Sequence, residues 1–149
     1  MERVQMELTV VEKHTITSTF LLLDQAEKSF AKLFYDCLFE LAPMIKPMFK
    51  SDRQLIEQHF FIIFSTAVGN VTHPESLRTT LLNLGERHRA YGVESCHFGI
   101  VKSALLLAIQ HELKGQCNAN IENAWSKYYD FLAATIQEGM LSQSHIAQC

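Results

Sequence analysis

Seven histidines and four cysteines are the residues of this chain best suited to hold a metal, and their spacing narrows the chemistry. His14, His73, His97, His111 and His145 have no HExxH relation to one another. Cys37, Cys96, Cys117 and Cys149 contain no CxxC pair, so neither a catalytic nor a structural zinc site is written in the chain, and reduced thiols are expected. His88 stands apart because of its neighbours. Leu77, Leu81, Leu84 and His88 follow one another at intervals of four, three and four, which on a helix aligns the imidazole with three leucines and turns Glu86, Arg87 and Arg89 elsewhere. A buried imidazole needs only one partner, so spacing alone leaves two readings: a core histidine bonded to a backbone carbonyl, or a metal ligand. Haem iron is the metal that one histidine can satisfy, because the porphyrin supplies four ligands and zinc would demand three or four side chains.

Two further residues bear on that choice. His59 lies in an apolar run twenty-nine positions before His88, enough chain for a helix, a turn and a return, so the two imidazoles can face each other. Equally, His59 can sit on an exposed edge beside Glu57 and Gln58. Tyr35 falls on the stripe Ala31, Tyr35, Leu38, Ala42, which directs its hydroxyl inward to either a core carbonyl or a bound dioxygen.

The elements that must position these residues are helices. Thr9 with Glu12, Asp24 with Glu27, Ser51 with Gln54, and Thr72 with Glu75 have capping-box spacing, the last enclosing Pro74 in what would be a first turn. Gly92 marks the stop of the helix carrying His88. Val101, Leu105, Ala108 read as one later helix and Ile121, Trp125, Tyr128, Leu132, Ile136 as the last, with Gly115 to Asn118 the turn between. Pro43 and Pro47 confine the segment before Phe49 to a short turn. Leu55 to Val71 is apolar around most of its circumference and is expected to be sandwiched centrally. No stretch alternates at strand length, so the fold class is all-α, about seven helices in a single domain over residues 1–149, with a core from about 9 to 141 and a short flexible C-terminal tail.

Composition excludes several partners. A formal net charge of −3, with no long Lys/Arg run, lacks the footprint of a nucleic-acid binder. The apolar runs Phe60 to Phe64 and Ala104 to Ile109 are far shorter than the roughly twenty residues of a membrane span. With no signal-peptide pattern behind Glu2, Arg3 and Glu7, the cytoplasm is the expected location.

The run LGERHRAYGV from Leu84 to Val93, with Cys96 to Val101 and Ala104 to Leu106 after it, resembles the proximal-histidine region of bacterial single-domain haemoglobins and of flavohaemoglobin haem domains. Phe34 to Pro43 with Lys46 to Phe49, and Ala124 to Tyr129, are similar to other blocks of the same family in the same order. The resemblance implies a globin fold, three helices over three around haem b, with His88 on the iron, Phe49 packed on the porphyrin and Tyr35 as the distal tyrosine. Ile56, Phe60, Ile63, Leu84, Arg87, Val93, Phe98 and Val101 are the further residues it assigns to the cofactor. Counting back from His88 without a gap puts Ile56 at the principal distal position. A short gap puts His59 there and Ile63 over the haem. Phe98 replaces the tyrosine, and Met140 stands near the glutamate, that in flavohaemoglobins bond the proximal imidazole, with Glu138 two residues away; a strong electronic push on the iron is therefore not expected.

The function so implied is reversible binding of dioxygen or another diatomic gas at ferrous haem, with Tyr35 as hydrogen-bond donor and His59 as a competing sixth ligand. Alternatives are gas or redox sensing, nitric-oxide dioxygenation with a separate reductase, and a haem-free regulatory module of the same fold. Catalytic residues are not assigned, and a homodimer is left open.

Overall fold

The computed structural model describes residues 7–25 and 27–142. The tail expected after Leu141 lies, from residue 143, outside the described residues, as do His145, Cys149 and the first six positions. Six α-helices run in the order α1 (Val10–Asp24), α2 (Glu27–Leu41), α3 (Arg53–Gly69), α4 (Arg78–Ala90), α5 (His97–Leu113) and α6 (Ala119–Ser142). Short 3₁₀ turns occupy Pro43–Met48, Pro74–Leu77 and Lys114–Gln116, and no strand occurs among the described residues.

The helix ends follow local chemistry, with three corrections to the capping pattern. Thr9 and Glu12 form the expected reciprocal box, each side chain bonding the other's backbone N–H at 3.0 and 2.9 Å. Asp24, expected to open the second helix, is instead the last residue of α1, and α2 starts at Glu27. The cap of α3 is Asp52 rather than Ser51; its carboxylate accepts from the Gln54 N–H at 3.1 Å. Thr72 does not cap either. His73 precedes a 3₁₀ turn headed by Pro74, and α4 begins only at Arg78, because the tighter turn places Leu77 in the core before the helix opens. Gly92, at φ +90°, ends the α4 segment in the left-handed conformation that favours glycine.

Packing sorts the helices into two layers, α1, α3 and α4 across α2, α5 and α6. Between layers α4 rests on α6, α1 on α6 and α3 on α2; within them α2 packs on α5, α5 on α6 and α1 on α3. Trp125, Tyr128, Phe30, Ile16 and Leu23 are fully buried at the centre. Burial of these side chains contributes about 1.5–3 kcal/mol each. Their polar tips are satisfied: Trp125 donates to the Thr19 hydroxyl at 2.9 Å, and Tyr128 to the Ala67 carbonyl.

No interface comparable to those just named joins α3 to α4. The central helix is therefore not sandwiched as its composition suggested: it buries Phe64, Ala67 and Val68, while Leu55 is 43% and Ile62 59% exposed. Helices α1 and α2 pack against one side of α3.

Candidate functional site

His88 lies on α4 where the leucine stripe emerges from the core: Leu77 and Leu81 are buried, Leu84 and His88 half-buried. Its Nδ1 is 2.8 Å from the Leu84 carbonyl, one turn back. A carbonyl can only accept, so Nδ1 carries the proton and the lone pair sits on Nε2. Burial pushes the imidazole below the ordinary histidine range, the Leu84 bond opposes that shift, and Arg87 adds to it. The ring is thus held neutral, oriented and ready to ligate. Both readings of His88 therefore meet in one geometry, since the carbonyl bond satisfies one nitrogen and leaves the other available.

The surroundings of His88 are apolar. Phe98 lies 6.4 Å away at 27° to the imidazole and clusters with Val93, Ala133, Ile136 and Met140. Phe98 offers no acceptor to Nδ1, the Met140 thioether only a weak one, and Glu138 is paired with Arg78. The Val93 N–H donates to the His88 carbonyl at 3.0 Å, closing the end of α4. Val101 is half-buried against the main core and Arg87 is exposed.

Tyr35, on α2, is only 7% exposed. Four phenylalanines hold its ring: Phe34 at 4.9 Å, Phe49 at 5.7 Å, and Phe39 and Phe60 at 5.8 Å. Phe49 is placed by the proline-bounded 3₁₀ turn, its N–H bonded to the Lys46 carbonyl at 3.1 Å, and it meets Phe39 edge-on at 5.2 Å. Burial, and then the Glu57 charge, push the Tyr35 phenol well above its ordinary range while Arg53 opposes them, so it is a neutral donor. Every hydrogen bond of the described residues leaves that hydroxyl out. A buried O–H without a partner is costly and uncommon, which makes it a signal of something to be bonded.

Along α3, Ile56, His59 and Ile63 follow at intervals of three and four and share a flank of the helix. Ile56 and Ile63 are half-buried and His59 is exposed. Phe60 is turned instead to α2, stacked on Phe34 at 4.4 Å and 7°. The sequence expectation that Ile56 or His59 takes the principal distal place thus concerns two residues of one flank of α3.

Sequence reasoning missed Arg53. Its guanidinium bonds Glu57 at 2.9 Å, Asp36 at 2.6 Å and the Lys32 carbonyl at 3.0 Å, joining the start of α3 to the helix that carries Tyr35. No local pattern announces a contact seventeen residues distant. Also missed was Gly85, although a glycine inside a helix costs about 1 kcal/mol relative to alanine and so asks for a reason.

The globin sequence profile matches residues 32–136, and the chain belongs to the globin family. Membership implies a haem-binding, gas-binding protein, and the residues fit such a cofactor: an oriented imidazole with a free Nε2, an orphaned buried hydroxyl and a flank of half-buried isoleucines. The chain is 30% identical over 141 residues to the anaerobic nitrite reductase NSHB5 of Oryza sativa subsp. indica, covering 91% of this chain and 97% of that one. It is 25% identical over 147 residues to neuroglobin-1 of Oncorhynchus mykiss, covering 89% and 92%. A bacterial globin from Campylobacter jejuni shares the fold at a TM-score of 0.78 and 23% identity, covering 88% of this chain and 95% of that one. A hexacoordinated heme protein from an anhydrobiotic tardigrade does so at 0.80 and 20%, covering 90% and 96%. The likeness to bacterial haemoglobins is accordingly one among several, with plant and fish proteins beside it.

Proposed function

We propose that the chain binds haem b between α3 and α4, with His88 as the iron ligand, and holds dioxygen or another diatomic gas reversibly. Ferrous haem supplies the coordination position at which such a gas binds. The observation that carries this reading is the Nδ1–H bond of His88 to Leu84, which leaves the Nε2 lone pair free to ligate in an apolar, half-buried setting. Tyr35 is the group available to donate a hydrogen bond to the gas, and Phe49 and Phe39 keep its ring in place. Ile56, Ile63, Leu84, Val93, Phe98 and Val101 supply apolar surface that excludes water, Phe60 backs Tyr35, and exposed Arg87 is the cation available to the cofactor's carboxylates.

His59 is the imidazole available to compete with the gas from α3. That competition would lower apparent gas affinity by the fraction of molecules in which His59 is bound. The cytoplasm is the location we assign, on the unpaired state of Cys37, Cys96 and Cys117. A second reading, one-electron reduction of nitrite with electrons from a separate reductase, is supported by the likeness to the rice anaerobic nitrite reductase.

Absorption spectra of the purified protein, oxidised, reduced, and reduced under carbon monoxide, test the proposal. A reduced form that shifts on gas addition and reverts on gas removal is expected. A spectrum indifferent to gas would overturn it. Anaerobic nitrite added to the reduced protein should leave it reduced if binding alone is the role, and rapid oxidation with release of nitric oxide would favour the second reading.

A further inference from the structure

Gly85 of α4 and Gly139 of α6 sit where the backbones of these two helices come close together. A Cβ on Gly85 would stand 2.0 Å from the Ile136 carbonyl oxygen and 2.9 Å from the Met140 nitrogen. One on Gly139 would stand 2.2 Å from the Leu82 carbonyl oxygen and 2.7 Å from the Leu82 Cα. All four obstacles are backbone atoms, which cannot swing aside as a side-chain tip can. Neither glycine has a positive φ, so neither is needed for its conformational freedom. What each supplies is the missing methyl, and with it an approach of backbone to backbone.

This crossing is next to the ligand. Leu84, whose carbonyl holds the His88 imidazole at 2.8 Å, is bonded to Gly85, and His88 follows Gly85 by less than one helical turn. Glu138, beside Gly139, pairs with Arg78 at the start of α4 at 2.5 and 3.2 Å. Met140, on the other side of Gly139, belongs to the cluster with Phe98 that borders the imidazole. Helix α6 is also the main support of α4, since no comparable interface with α3 exists.

We propose that the Gly85–Gly139 crossing is a positioning device for the iron ligand. It sets the depth and tilt of α4, hence the direction in which His88 presents Nε2 and the strength of the iron–imidazole bond. The proposal rests on the assignment of His88 as ligand. Non-bonded carbon and oxygen atoms settle near 3.5 Å, so an added methyl must push the helices apart by roughly an ångström or more. The Leu84 carbonyl and the His88 ring, both borne by α4, move with it.

The test is the iron–histidine stretching band of the ferrous haem-loaded protein, measured by resonance Raman in Gly85→Ala, Gly139→Ala and Glu138→Gln. His59→Ala is included throughout so that only one protein imidazole reaches the iron. Each variant is also made with His88→Gly and supplied with free imidazole, a ligand no longer tied to α4. The alanine variants should shift the band when His88 is present and leave it unmoved in the imidazole-supplied protein. An unmoved band in folded alanine variants, or an equal shift in both backgrounds, overturns the proposal. Should both alanine variants fail to fold, Glu138→Gln carries the test: it loosens the crossing without adding bulk, so a shifted or broadened band supports the proposal and an unchanged one overturns it. The ligand assignment fails separately, if His88→Gly without imidazole keeps the unaltered ferrous spectrum.

Discussion

Among the described residues, Thr19 receives the buried Trp125 N–H, buried Tyr128 donates to the Ala67 carbonyl, and half-buried Tyr129 donates to the Phe98 carbonyl. The Tyr35 hydroxyl bonds no described group although its residue is as buried as Thr19 and more so than Tyr129. An unmet buried hydroxyl costs about 1–3 kcal/mol, while a charge-assisted bond from it to a polarised gas is worth about 1.5–3 kcal/mol. Tyr35→Phe should therefore act in opposite directions on two quantities. In urea unfolding the haem-free protein gains about 1 kcal/mol of stability, whereas in stopped flow the haem-loaded protein releases dioxygen about tenfold to a hundredfold faster. A less stable protein with an unchanged release rate would show that the hydroxyl serves packing rather than the ligand. That Tyr35 and His88 face inward was legible in their stripes. The absence of a partner for Tyr35 was not, because it depends on what every other element places within 3.5 Å of one oxygen.

The helices α2 and α3 are joined at their outer edge by Arg53, which bonds Asp36, Glu57 and the Lys32 carbonyl and lies 5.7 Å from the Phe39 ring. The charged groups remain partly exposed, so solvent screens them and Arg53→Ala should cost only about 0.5–1 kcal/mol, with a smaller loss at high salt. The Lys32 hydrogen bond first, and Arg53 with it, hold the Asp36 carboxyl below the usual aspartate range against its partial burial. A carboxyl depressed in the folded state stabilises above its unfolded value and loses that contribution as pH falls through the folded one. Asp36→Asn should accordingly flatten the loss of stability seen below about pH 4, measured by urea unfolding across pH; an unaltered acid limb would remove Asp36 from the clamp. Helix number and order were readable from periodicity and caps, as the Thr9–Glu12 box shows. Cap positions slipped at Asp24, Ser51 and Thr72 because several neighbouring residues can cap and only the packed backbone selects among them. The reading of α3 as a sandwiched helix went astray for a related reason: an apolar circumference reports what is covered but not whether protein covers it.

As a whole the molecule is a three-over-three helical fold locked by its core. Thr19 and Trp125, 106 residues apart, tie α1 to α6 through a buried hydrogen bond. Thr19→Val would strand the indole N–H and should cost about 1–3 kcal/mol, read as a lowered urea midpoint with an unchanged slope. The two glycines bring α6 under the helix of His88, and Arg53 ties the start of α3 to α2. The role of these helices turns on whether they hold an iron porphyrin through one imidazole. The most direct measurement is a hemin titration of the haem-free wild type and of His88→Ala, followed by absorbance. The wild type should saturate at one hemin per chain with a histidine-ligated spectrum, and His88→Ala should lose that spectrum and release hemin readily to a competing acceptor. Identical titrations and spectra for the two proteins would contradict the assignment.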